Sequence, residues 1–146
     1  MTMEVRRLTS AERSEADLIS HIAFHMRMAD PEKAREMNEN QAVDDWGAFG
    51  TDGRMMARIM DHRFDCYLDG KLIHNGGIGG VSTLPEYRNT GAVHAIFSAL
   101  LPEALRGGEV ISTLYPFSHG FYRRFGYETV CMKNVYSRSE EHTSEL

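Results

Sequence analysis

Val81-Ser82-Thr83-Leu84-Pro85-Glu86-Tyr87-Arg88-Asn89-Thr90-Gly91-Ala92-Val93 is the stretch on which the fold turns. An apolar, β-branched run meets a proline, passes through an Arg-x-x-Gly turn and enters an amphipathic segment, the order in which a strand delivers an anion-binding loop to a helix. Glycine at 91 lets the backbone come close to a ligand. The first helical turn after it leaves several N–H groups without intrahelical partners, all pointing at one spot. An anion belongs there. Each backbone N–H bonded to a charged phosphate contributes roughly 1.5–3 kcal/mol, so a few of them with the Arg88 guanidinium hold a pyrophosphate without any metal.

Working outward, the 146 residues allow one domain with one core. A hydrophobic content of 42% and a charged content of 25% are ordinary for a soluble globular chain. The net charge of -5 offers no electrostatic attraction for nucleic acid, so DNA and RNA are set aside as partners. The N-terminal Met1-Thr2-Met3-Glu4-Val5-Arg6-Arg7 lacks the apolar core of a signal peptide, and no run approaches a membrane span. A cytoplasmic protein with no membrane partner is expected. Cys66 and Cys131 form no Cys-x-x-Cys pairing and read as buried free thiols, not as a zinc knuckle or a disulfide. His21 and His25 have a metal-ligand spacing, but no glutamate follows the first and no third ligand is recognisable. They read as a partly buried helix face, and no metal is expected.

The last nine residues, Arg138-Ser139-Glu140-Glu141-His142-Thr143-Ser144-Glu145-Leu146, resemble something other than protein. They match one reading frame of a widely used sequencing adapter, AGA TCG GAA GAG CAC ACG TCT GAA CTC. The expected organisation is therefore a truncated domain over residues 1–137 and a disordered, adapter-derived tail over 138–146. Without that tail one arginine and three glutamates go, and the net charge moves from -5 to -3, which alters nothing about partners.

Taken in order, Met3 to Leu8 alternates as a half-buried strand. Ser10 is a good N-cap for a helix with Ala16, Ile19, Ile22, Ala23 and Met26 on one face, running to about Arg27. Asp30-Pro31 starts a second, more polar helix to about Asn40. Asp45–Phe49 and Arg54–Met60 read as two strands joined by Gly50-Thr51-Asp52-Gly53. A further strand, Phe64–Leu68, turns at Asp69-Gly70 and returns through Leu72 and Ile73. Gly76-Gly77-Ile78-Gly79-Gly80 then leads into Val81. Glycine weakens a strand, so a bulge or a close approach to the backbone is expected there, with a flexible loop as the plainer alternative.

Beyond Gly91, Val93, Ile96, Phe97, Leu100, Ala104 and Leu105 form an apolar helix face that Gly107-Gly108 ends, with Pro102 removing one internal hydrogen bond. Val110–Tyr115 reads as a buried strand. Ser118 caps a short helix whose Phe121 and Phe125 share a face while Tyr122 turns off it, and Gly126 stops that helix. Tyr127–Tyr136 reads as a final extended segment. The order predicts an α+β fold: a mixed, mostly antiparallel central sheet flanked by helices, with its last strand or strands missing.

Val81-x-Thr83-x-Pro85-x-x-Arg88-x-x-Gly91 at a strand-to-helix turn, with Phe121-Tyr122-Arg123-Arg124-Phe125-Gly126-Tyr127 after the next strand, resembles the GNAT N-acetyltransferases. The more specific likeness, carried by Leu68 through Tyr127 and including Leu114-Tyr115-Pro116-Phe117, is to the enhanced-intracellular-survival (Eis) type. The resemblance implies acetyl-CoA as donor and a small-molecule primary amine as acceptor: an aminoglycoside, a polyamine or a lysine. It implies that Val81, Ser82 and Thr83 offer strand backbone to the pantetheine arm and the thioester carbonyl. Arg88, Asn89, Thr90, Gly91, Ala92, Val93 and His94 would surround the pyrophosphate. Phe117 and Ser118 would meet the cofactor, and Tyr122 would be the acid that protonates the departing thiolate. The offset of Tyr122 from the Phe121/Phe125 face argues against a merely packed aromatic.

Two departures from the pattern stand out. The residue two places after Gly91, usually glycine or alanine, is Val93. Eis-type chains are also much longer, assemble as oligomers and take their base from the carboxylate at the end of the whole chain, so the resemblance implies a fragment that binds cofactor and turns over poorly. The alternative is a non-catalytic acyl-CoA-binding sensor or structural domain of the same fold.

Overall fold

A computed structural model of the protein describes residues 3–25 and 43–136. The chain divides into two compact units, Met1–Tyr115 and Pro116–Leu146. The first unit is a five-stranded sheet in the order β1-β2-β3-β4-β5, with β1 Glu4–Arg7, β2 Val43–Phe49, β3 Met55–Leu68, β4 Lys71–Thr83 and β5 Glu109–Leu114. Pairing is antiparallel from β1 through β4, and only β5 lies parallel to its neighbour β4. Among the described residues two helices accompany the sheet, α1 Arg13–Phe24 and α2 Ala92–Arg106. This is the mixed, mostly antiparallel α+β architecture expected from the order of elements.

Local chemistry explains most of the boundaries. Thr9 heads a single 3-10 turn, Ser10–Glu12, before α1 begins. The Glu12 carboxylate accepts from the Thr9 N–H at 2.8 Å and from its hydroxyl at 2.9 Å, and Arg6 holds the same carboxylate at 2.7 Å. The cap is thus Thr9 with Glu12, a Thr-x-x-Glu pattern, and not Ser10. At the β2–β3 hairpin, Gly50 N–H donates to Arg54 O at 2.9 Å and the Asp52 carboxylate accepts from Arg54 N–H. At the β3–β4 hairpin Asp69 and Gly70 both take positive φ, 49° and 76°, the twist that a two-residue connection requires.

Apolar burial holds the helices to the sheet. Ala16 and Ile19 of α1 pack with Phe49, Met55, Leu8 and Leu84. From α2, Ile96, Phe97 and Leu100 are each buried, and the helix lies against β1 through β5. Each such side chain stabilises the fold by roughly 1.5–3 kcal/mol through area removed from water. Pro102 stands on the solvent side of α2.

Several sequence expectations are corrected. Arg54–Met60 and Phe64–Leu68 are one continuous 14-residue strand, because the polar Asp61-His62-Arg63 between them stays paired with Ile78, Gly77 and Gly76. β5 is not buried: Val110 is 63% exposed, since β5 is the edge of the sheet among the described residues. Leu105, in the last turn of α2, faces solvent. Cys66 is partly exposed and Cys131 exposed, both as free thiols. Tyr127–Tyr136 forms no strand, and Val130, Met132, Val135 and Tyr136 are exposed. The helix expected over Asp30–Asn40 and the tail over 138–146 lie outside the described residues.

The second unit contains α3, His119–Arg123. Ser118 caps it, its hydroxyl accepting from Phe121 N–H at 3.4 Å, and Gly126 ends the turn at φ 90°.

Candidate functional site

The site begins at the glycine run of β4. Arg58 pairs with Ser82 and Met60 with Gly79, so Ile59 alone stands opposite Gly80 and Val81. That is a β-bulge, and Gly80 takes φ 56° to make it. Gly76 and Gly77 answer the other expectation, close approach: a Cβ on Gly76 would meet Asp61 Oδ1 at 2.8 Å and collide with Glu109, and one on Gly77 would collide with the Phe64 ring. The glycine run is strand throughout, and no loop interrupts it.

Past the run the sheet opens. β5 follows β4 only as far as the pair Ile78–Leu114, whereas β4 continues to Thr83, held on its other edge by β3. Over Gly79–Thr83 the edge of β4 facing away from β3 therefore has no strand partner among the described residues. Of the expected strand residues, Val81 and Thr83 are half-buried and Ser82 is buried. Ser82 directs its hydroxyl to Gly80 O at 3.0 Å and lies 3.2 Å from Ser20 Oγ of α1.

The chain leaves β4 through a 3-10 turn, Pro85–Tyr87, and reaches α2 through Arg88, Asn89 and Thr90, all exposed. Asn89 and Gly91 both have positive φ, 63° and 85°, and Thr90 secures the turn by donating its hydroxyl to Tyr87 O at 2.7 Å. Gly91 is the N-cap of α2, and the helical ladder begins with Ala95 N–H to Gly91 O at 2.9 Å. The N–H groups of Ala92 and Val93 thus precede the ladder, at the positive end of the helix macrodipole. Nothing lies within 4 Å of where a Cβ on Gly91 would stand, so the turn is open to a ligand. Ala92 is buried, Val93 half-buried and His94 exposed, its ring near Ser98 Oγ at 3.5 Å. The structure brings Val81–Thr83 and Arg88–His94 together as consecutive parts of one strand-turn-helix unit.

Phe117, Ser118 and Tyr122 belong to the second unit. Tyr122 is buried, packed edge-on to Phe117, Phe121 and Tyr127 with ring centroids 5.3, 5.1 and 6.2 Å away. Its offset from Phe121 and Phe125 does not take it out of the aromatic packing, as the sequence suggested; it takes it deeper. Burial pushes its phenol above the ordinary value, so a group already protonated at neutral pH holds its proton more firmly still.

Two polar groups escaped sequence reasoning. Arg58 is 2% exposed, and its guanidinium meets Asp45 at 2.8 and 2.6 Å and Asp17 at 2.6 Å. Asp61 is likewise buried beside Glu109, and burial followed by that neighbouring carboxylate pushes it up to about 7. The available signal was a charged residue at 58 inside the apolar run Met55–Met60, which demands a carboxylate partner somewhere in the fold. His21 Nδ1 bonds to Asp17 O at 2.7 Å, and His25 ends α1 at φ 52°.

Chemically, the strand-turn-helix unit can hold a phosphorylated ligand at the α2 terminus and lay an extended arm along the edge of β4 that no described strand pairs. The family model described as acetyltransferase (GNAT) domain matches residues 4–130. Among solved structures, an Enterococcus faecalis protein described as a probable N-acyltransferase superposes with TM-score 0.81 at 27% identity, over 88% of this chain and 33% of its own. Eis1 from Mycobacterium abscessus gives TM-score 0.72 at 22% identity, over 86% of this chain and 31% of its own. A predicted acetyltransferase from Clostridium acetobutylicum, in a structure with acetyl-CoA, gives 0.74 at 18% identity, over 98% and 100%. The chain thus spans about a third of the enterococcal and mycobacterial proteins and the whole of the clostridial one. No curated protein matches it.

Proposed function

The chain belongs to the GNAT acetyltransferase domain family, and from that premise we propose that it takes acetyl from acetyl-CoA and passes it to a small-molecule primary amine. The observation that carries this reading is the edge of β4 over Gly79–Thr83, which no strand pairs among the described residues and which ends at the open Gly91 turn. The residues present fit acetyl-CoA, which supplies the activated thioester. Arg88 through His94 hold its pyrophosphate, chiefly through main-chain N–H groups, with the exposed Arg88 guanidinium adding charge. The backbone of Val81, Ser82 and Thr83 pairs with the extended arm and donates to the thioester oxygen as negative charge develops there. Phe117 and Ser118 border the cofactor. Tyr122, a phenol protonated at neutral pH, would give its proton to the sulfur as the C–S bond breaks.

The resemblance of its motifs to the Eis type supports an amine acceptor and a base supplied from a longer parent, which would assemble as a homo-oligomer. The organisation that goes with it is a domain over residues 1–137 followed by an adapter-derived tail. Calorimetric titration of acetyl-CoA into the chain, beside the Arg88→Ala, Gly91→Glu double variant, tests the reading. Saturable binding is expected for the chain and loss of at least tenfold in affinity for the variant, whose added carboxylate repels the pyrophosphate. Equal affinities would remove the strand-turn-helix unit as the cofactor site.

A further inference from the structure

The polar group under the bulge has a direction. Arg58 Nη1 reaches Ser20 Oγ at 3.3 Å, Ser20 Oγ lies 3.2 Å from Ser82 Oγ, and Ser82 Oγ lies 3.0 Å from Gly80 O. Each hydroxyl carries one proton, and a carbonyl only accepts. Because Ser82 spends its proton on Gly80 O, it must accept from Ser20; Ser20, having spent its own, must accept from Arg58. A guanidinium never gives up its charge in a protein, so the order cannot reverse. Two carboxylates fix its start: Asp45 grips Arg58 through Nε and one terminal nitrogen, and Asp17 takes the other.

The far end closes on the bulge. The Ser82-to-Gly80 bond spans Val81, within the pair of residues that face Ile59 alone. A bulge leaves the local ladder broken, so side-chain bonds of this kind decide which of its conformations persists. We propose that Arg58, Ser20 and Ser82 form a positioning relay that sets the backbone of Gly80–Ser82, and with it the fit of β4 to the acetyl group of the donor. None of the three is placed here as touching the reacting atoms through its side chain. The inference rests on the cofactor reading of the preceding subsection.

The test compares acetyl-CoA with CoA, which lacks only the acetyl group, in titrations of the unaltered chain and of Ser20→Ala, Ser82→Ala and the double variant. Acetyl-CoA affinity should fall about three- to tenfold in each single variant and CoA affinity by a clearly smaller factor, since the arm the two ligands share pairs with the same backbone but only acetyl-CoA carries the acetyl group; the double variant should be no weaker than either single one, because one chain of bonds is cut once. Amide hydrogen exchange supplies a ligand-free check: Val81 and Ser82 should exchange faster in both variants, with α2 unchanged. Equal losses for both ligands, additive losses, or unaltered exchange at Val81 and Ser82 would each overturn the relay. If the unaltered chain binds neither ligand, the cofactor reading itself falls and takes the relay with it.

Discussion

Tyr122 is a packed side chain whose burial also bears on the chemistry proposed for it. Its ring sits among Phe117, Phe121 and Tyr127, and the same burial that stabilises the ring raises the phenol's hold on its proton. A raised value means that the acid form persists past the ordinary phenol range near pH 10. In the proposed reaction Tyr122→Phe should lower the rate of acetyl transfer to a primary amine by about 10²-fold or more while leaving acetyl-CoA affinity within twofold. Steady-state rates beside calorimetry decide it. An unchanged rate would leave Tyr122 as a core aromatic, and transfer no faster than in the absence of protein would favour a non-catalytic acyl-CoA-binding domain.

At the scale of the element, β4 is built from glycines for two separable reasons. Gly80 adopts a positive φ at the bulge, whereas Gly76 and Gly77 sit in extended backbone and lack a Cβ because neighbours occupy its place. The neighbours differ in what they can do. Phe64, against Gly77, is 53% exposed and can swing outward; Asp61 and Glu109, against Gly76, are held in the sheet, Asp61 at 2% exposure. Gly76→Ala should therefore cost about 1–3 kcal/mol by overpacking. Gly77→Ala should cost clearly less, and paired denaturant titrations measure the difference. Equal costs would mean that the carboxylates yield as readily as the exposed ring.

For the whole molecule, stability should carry the signature of the buried carboxyl pair. Asp61 faces Glu109 from β5, Asp44 from β2 and Arg63 from its own strand, and sits at about 7 in the folded chain against an ordinary value of 3.8. The folded state therefore binds the extra proton between roughly pH 4 and 7, and the stabilisation is lost as pH rises through 7. His62 acts oppositely, since burial lowers it and its contribution is lost on acidification. Glu12, held by Arg6 down at about 2, adds stability above the ordinary carboxylate range that is lost as pH falls toward 2. The difference between Asp61→Asn and the unaltered chain isolates the first effect. The two should melt at similar temperatures near pH 5, and the variant should melt higher near pH 8. A constant difference across that range would show that no proton is shared.

What could be read from the residues was what local chemistry dictates. Pro85, Gly91 and the apolar face of Ile96, Phe97 and Leu100 mark the strand-turn-helix unit because turn geometry and helical period act within a dozen residues. The glycine run announced a bulge or a close approach, and it contains both. The continuity of β3 was hidden, because Asp61-His62-Arg63 looks like a break until pairing with Gly76–Ile78 is known. The partners of Arg58 and Asp61 lie on other strands and on α1, at separations no local pattern spans. The sequence by itself determined the class of fold, the Gly91 turn and the order of elements, since these depend on neighbours along the chain. Only the tertiary structure decided where the sheet opens, which charges are buried together and which way the hydrogen bonds run beneath the bulge, since those depend on neighbours in space.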